Sequence, residues 1–273
     1  MKPPLLALVA CCLCAIHAAD SPPGRQIPLT DARLFLPQGA QPDASGSFDL
    51  TLHLHGAPAV VETNFLTARC PGVLANVTLQ GLSAAYEERF KDSNVFWRIL
   101  RETATTLQDP TAPPPRVRHV LVSSFSAGFG GVRQLLENPD IFARIDAVIM
   151  ADSIYAGFAG NPVERKVNPD HMRGFLQFAR AAADGRKRFL VSHTQLHTPT
   201  YASTRETADY LIAQLGGTRE AMTESWPGNL RLLSRFQKGQ CLILGFDGDT
   251  GQHHMEHLRQ IRLFYQRQSD TLH

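Results

Sequence analysis

The chain has 273 residues, 43% of them hydrophobic, which is enough apolar material for one large core. Its 27 basic and 25 acidic residues leave a net charge of +2, and aromatics make up 8%. So even a balance, with no interleaving of basic and aromatic residues, argues against a nucleic-acid partner and against general attraction to anionic lipid; a small or neutral ligand fits better.

The first segment reads as a secretory signal. Lys2 supplies a positive end, residues 5–15 form an apolar run, and Ala18 and Ala19 offer small residues for cleavage. Residues 1–19 are therefore expected to be a signal peptide, with the mature chain periplasmic or secreted. The run is too short to span a bilayer, so no stable membrane span is expected. The residues Leu8-Val9-Ala10-Cys11 also fit a lipobox, an alternative in which Cys11 is lipidated. Cys11, Cys12 and Cys14 lie in this segment, which leaves Cys70 and Cys241 as a disulfide or as two buried thiols.

Residues 20–46 are rich in Pro, Gly and Asp and predict a lead-in loop with one edge strand at 34–36. A single domain is expected over 47–273. Within it, apolar runs of strand length at 48–53, 73–79, 117–123, 147–151, 188–192 and 241–246 alternate with segments of helical period. The helical segments are 94–107, 128–137, 171–183, 204–215 and 254–266, and 111–115 and 216–228 read as loops. This alternation predicts an α/β fold, a mostly parallel sheet with helices on both faces.

The most specific motif is Ser124-Phe125-Ser126-Ala127-Gly128, placed between a strand and a helix. A nucleophile elbow needs that context: a strand, a sharp turn carrying the serine, then a helix whose first N–H groups face an oxyanion. Ser126 is the candidate nucleophile and Ala127 the first oxyanion donor. Ser124 stands where the usual pattern has Gly but remains small. The same residues would also make a close-packed turn with no chemistry.

His53-Leu54-His55-Gly56 closes an earlier strand, and with the elbow it resembles the α/β-hydrolase superfamily. The resemblance implies a second oxyanion donor at Gly56 or Ala57, beside His55, since Pro58 has no N–H. Gly81-Leu82-Ser83-Ala84-Ala85-Tyr86 resembles a segment of a poorly characterised bacterial exported branch of that superfamily, which brings Ser83 and Tyr86 among the substrate-side candidates. Alternatively, Ser83 caps a helix that starts near residue 84.

The superfamily order of nucleophile, acid and histidine puts the base in the loop after the last strand, where His253, His254 and His257 compete. His254 at the start of the terminal helix is preferred, with His257 one turn on as the alternative base or a pocket-lining partner. Residues 193–197 contain no carboxylate, so the acid is sought one strand earlier, at Asp152. An N-cap or a loop ion pair is its bland alternative. Residues 156–170 and 198–204 are the expected pocket walls, and the insertion 156–172 is short enough to predict little or no lid.

The expected function is esterase-like hydrolysis of an ester or amide bond, in a small-molecule ester or peptide substrate, through a Ser-His-Asp triad, which requires no cofactor and no metal. Two rivals stand beside it. His53, His55, His193, His197, His253, His254 and His257 could serve a metal-dependent hydrolase. A hydrolase-like scaffold that only binds its ligand is the other.

Overall fold

The computed structural model describes residues 22–269. The expected signal segment 1–19 and Cys11 lie outside the described residues. The chain starts with strands β1 (Gly24–Pro28), β2 (Arg33–Pro37) and β3 (Ser47–Leu54), then helix α1 (Pro58–Thr67) and β4 (Val73–Val77). Helices α2 (Ser83–Lys91) and α3 (Asn94–Thr106) lead to β5 (Arg116–Phe125), and α4 (Phe129–Glu137) and α5 (Pro139–Arg144) to β6 (Ala147–Ala151). Next come α6 (Pro169–Ala183), β7 (Arg188–His193), α7 (Thr204–Gln214), β8 (Glu220–Trp226), β9 (Leu230–Lys238) and β10 (Cys241–Phe246). Helices α8 (Gly251–Arg259) and α9 (Arg262–Ser269) close the fold.

The strands form one sheet in the order β1-β2-β4-β3-β5-β6-β7-β10-β9-β8. Its six central strands, β4 to β10 in that order, run parallel, and each corresponds to a strand predicted from an apolar run. Alternation along the strands divides the core between the two faces. Leu52 and Leu54 of β3 and Val122 of β5 pack with Phe90, Leu135 and Phe175 of α2, α4 and α6. On the other face Leu74, Leu190 and Phe246 pack with Phe65, Phe264 and Tyr265 of α1 and α9. Each such fully buried side chain contributes about 1.5–3 kcal/mol. Among the described residues no helix is long and apolar enough to cross a membrane.

The departures from expectation lie where periodicity is weak. The lead-in residues form an antiparallel hairpin, β1 with β2, and β2 joins the sheet edge on β4. The reason is that Leu34 and Phe35, both fully buried, reach opposite faces of the sheet. Residues 220–226, expected as loop, are the edge strand β8 paired with β9, and Gly228 and Asn229 make the turn with φ of 75° and 62°. Helix α1, not expected, starts on Pro58, whose missing N–H costs nothing there. The expected terminal helix 254–266 is two helices, α8 and α9, separated at Gln260 and Ile261. Ser83 is the first residue of α2 and makes no capping hydrogen bond. Cys70 and Cys241 are unpaired, and burial pushes each thiol up to about 12. Between β6 and α6 the chain makes only a single 3-10 turn, Pro162–Glu164, in keeping with little lid.

Candidate active site

Three parallel strands end, at their carboxyl ends, in residues with left-handed backbone: His55 after β3 (φ 68°), Ser126 after β5 (φ 46°) and Asp152 after β6 (φ 44°). A side chain makes this conformation unfavourable, and it persists only where the surroundings over-determine it. At Ser126 they do. Gly128 lies so close to β3 that a Cβ there would meet the Leu54 carbonyl oxygen at 2.3 Å, so the turn runs hard against the sheet. On the other side Ser153 Oγ donates to the Ser126 carbonyl at 2.9 Å and accepts from Ser124 Oγ at 2.6 Å. The serine that replaces the usual Gly is thus a buried anchor of the elbow.

Asp152 is fully buried, and its carboxylate accepts hydrogen bonds from Thr194 N (3.0 Å), Thr194 Oγ1 (3.0 Å), Thr204 Oγ1 and His254 Nδ1 (2.6 Å). Burial by itself would raise its pKa, but the His254 bond, the nearby imidazoles of His257 and His254, and Thr204 outweigh it and hold the carboxyl well below the usual range. His254 sits in the first turn of α8, whose start is fixed by a capping box between Thr250 and His253. Its ring stacks on Phe125, the residue before Ser126, at 4.5 Å between centroids. With Nδ1–H given to Asp152, Nε2 is the nitrogen left to accept a proton.

The other histidines go elsewhere. His257, one turn further along α8, is fully buried between Phe246 and Phe264, and its Nδ1 bonds Ser192 Oγ at 2.8 Å. Burial takes its pKa down to about 4, which leaves it neutral, and it is not on the cleft wall. His253 is used in the cap. His53 bridges the His55 carbonyl (2.8 Å) and Ser123 Oγ (2.8 Å), and His193 Nδ1 bonds the Thr194 carbonyl at 2.8 Å. Among the described residues no three ligating side chains converge to hold a metal ion.

Ser126 and His254 line one cleft of about 550 Å³, with Ala127 and Ser83 beside them. The expected walls contribute Ala156, Gly157, Thr198 and Tyr201. Gly56, Ala57, His55 and Tyr86 are not on this wall. His55 and Tyr86 form a support behind it: the Leu79 N–H donates to Tyr86 Oη (3.0 Å), Tyr86 Oη and His55 Nδ1 share a hydrogen bond (3.0 Å), and the His55 ring lies against Phe125 at 6.2 Å. Gly56 packs toward Leu258 of α8, and Ala57 precedes the first turn of α1.

No protein-family model matches the sequence, and no curated protein matches it. Among solved structures, the enterobactin esterase of Shigella flexneri with 2,3-dihydroxy-N-benzoyl-serine matches 93% of this chain at a TM-score of 0.54 and 12% identity. The protein has the α/β-hydrolase fold. The chain spans 61% of the Shigella chain. An acylaminoacyl peptidase of Pyrococcus horikoshii matches 91% of this chain and 40% of its own, at 0.48 and 13% identity. An α/β-hydrolase fold protein of Chitinophaga pinensis matches 92% of this chain and 98% of its own, at 0.44 and 11% identity.

In an α/β-hydrolase fold the loops at the carboxyl ends of the strands surround the site, and Ser126 and Asp152 stand at two such ends, after β5 and β6, with His254 in the helix that follows β10. The fold also brings Glu87, Arg133 and His171 to the cleft, residues for which the sequence gives little sign. The available signals are local: Glu87 lies one turn beyond Ser83 on α2, and Arg133 is the first charged residue of the helix directly after the elbow.

Proposed function

We propose that the protein is a serine hydrolase that transfers an acyl group from an ester to water. One observation carries this reading: the 2.6 Å bond from the buried Asp152 to His254, which lines one cleft with Ser126 at its strained turn. In the reaction, His254 Nε2 takes the Ser126 hydroxyl proton as Oγ attacks the carbonyl carbon. The carbonyl electron pair moves to oxygen, where the Ala127 N–H is the proposed donor. Collapse expels the alcohol with the proton from His254, and water repeats the sequence to release the acid. The chemistry calls on no cofactor. Ester is preferred over amide in this reading, in line with the esterase name of the Shigella enzyme. Export through residues 1–19 belongs to the same proposal.

A fluorophosphonate probe tests it. An adduct located on Ser126 by peptide mass spectrometry, absent from Ser126→Ala, is the expected result, with ester turnover in the variant lower by about 10⁴-fold or more. Folded wild-type protein that takes no adduct, or a variant that hydrolyses esters at the wild-type rate, would overturn it.

A further inference from the structure

The cleft holds a polar cluster that the proposed chemistry does not use. Arg133 Nη1 donates to Glu87 Oε1 at 2.7 Å, its Nη2 donates to the Tyr155 carbonyl at 2.8 Å, and its guanidinium lies 5.0 Å from the centre of the Phe129 ring. The side chains of Arg133 and Glu87 are 12% and 29% exposed, and Arg133 Nε is buried without a partner. His171 Nδ1 accepts the Gly157 N–H at 2.9 Å, so the ring proton of the neutral imidazole sits on Nε2. Burial, and next the charge of Arg133, lower the pKa of His171 and favour that neutral form. All of these residues line the same cleft as Ser126 and His254. A buried guanidinium is costly to desolvate, and with the ion pair on the wall of a cleft it is the second N–H of each Nη, not the enclosed Nε, that an entering group can use.

The chemistry of that capacity is selective. A carboxylate would accept from Arg133 but meet the charge of Glu87, and an ammonium would meet Arg133. A plain alkyl group would dry the cluster without replacing its lost water contacts. A neutral hydroxyl satisfies both sides, because it accepts from Arg133 or His171 and donates to Glu87. Much of the remaining wall is aromatic: Phe129 and Tyr155 lie 5.4 Å apart, and Tyr155 and Tyr201 5.6 Å apart in a T-shaped pair. Such surfaces favour a ring at the edge or face. We propose that the cleft selects esters that carry a phenolic ring, the ring packing on Phe129, Tyr155 and Tyr201 and the hydroxyl held by Glu87, Arg133 and His171. This rests on the serine-hydrolase reading above.

The test compares p-nitrophenyl esters of phenylpropanoic, (p-hydroxyphenyl)propanoic and (p-carboxyphenyl)propanoic acids, in which the substituent is insulated from the carbonyl. A second series, phenylethyl and (p-hydroxyphenyl)ethyl acetates, places the ring on the alcohol side. The hydroxyl compound should exceed its phenyl parent in kcat/KM by about tenfold or more in at least one series, with the carboxylate below both, since a hydrogen bond to a charged group is worth that much. The double variant Arg133→Met/Glu87→Met, which leaves no lone buried charge, should bring the hydroxyl-to-phenyl ratio to about one. Fluorophosphonate labelling of Ser126 in that variant checks that the site is formed. Equal rates for hydroxyl and phenyl esters in both series, with Ser126 labelled in the wild type, would overturn the phenol proposal and leave the hydrolase reading standing. A ratio that survives intact in the double variant would overturn the assignment to Glu87 and Arg133. No hydrolysis and no labelling of the wild type would remove both readings together.

Discussion

Asp152 keeps its charge without any exposed surface because every approach to its carboxylate is a donor: two threonine hydroxyls, one backbone N–H and the His254 ring. Replacing it by Asn would put an N–H where His254 Nδ1 now donates, forcing the imidazole into the tautomer that cannot accept from Ser126. Asp152→Asn is therefore expected to lower kcat by about 10⁴-fold while the folded far-UV spectrum is retained. A variant within a few-fold of wild type would show that the carboxylate is only a structural anchor. The two candidate bases separate at the same scale. His254→Ala should abolish fluorophosphonate labelling of Ser126, whereas His257→Leu should keep it and lower only the thermal midpoint, because His257 bonds Ser192 and lies off the cleft.

The elbow is built by packing between elements. Gly128 sits at the junction of β5 and α4, and an added methyl would press on the β3 backbone at Leu54. Gly128→Ala should cost about 1–3 kcal/mol in denaturant unfolding, the range for overpacking, and slow Ser126 labelling as the turn shifts. A variant as stable and as readily labelled as wild type would mean the turn is looser than its contacts imply. The Ser124–Ser153 bond predicts a pair effect across β5 and the β6 loop. Ser153→Ala alone leaves the buried Ser124 hydroxyl only its weak 3.5 Å bond to Met150 Sδ and should destabilise by about 1–3 kcal/mol, while Ser124→Ala/Ser153→Ala removes both partners and should cost less than the sum of the single changes.

Across the whole molecule, three histidines are held neutral inside the sheet layers by burial: His53 down to about 3, and His193 and His257 down to about 4, from an ordinary value of 6.5. Between those values and 6.5 the unfolded chain binds more protons than the folded one, so stability is full above about pH 6.5 and falls as pH drops toward 4. Each histidine contributes a slope of up to about 1.4 kcal/mol per pH unit. Asp152, whose carboxyl is held low, adds a further loss only below its unfolded value of 3.8. Thermal melts across this range should show a midpoint that is flat near neutrality and drops below about pH 6.5. A midpoint unchanged down to about pH 4.5 would mean that these imidazoles gain water or partners on protonation.

The strand runs and their spacing already determine the parallel centre, because a strand buried on both faces must be apolar throughout, as β6 is. The strand-turn-helix setting of Ser126 is likewise written locally, and Asp152 is reached because the turn after Ser192 holds no carboxylate. The polar edge strand β8 is not legible: its residues are mostly exposed, and only pairing with β9 makes it a strand. Local spacing equally cannot separate His254 from His257, which lie one turn apart on one helix. What separates them is where the sheet carries Asp152 and Ser192, the first 102 residues before His254 and the second 65 before His257. The Arg133–Glu87 pair also joins positions 46 apart, from helices either side of β5. Periodicity is a property of neighbours along the chain, whereas a cleft is made by residues that only packing brings together.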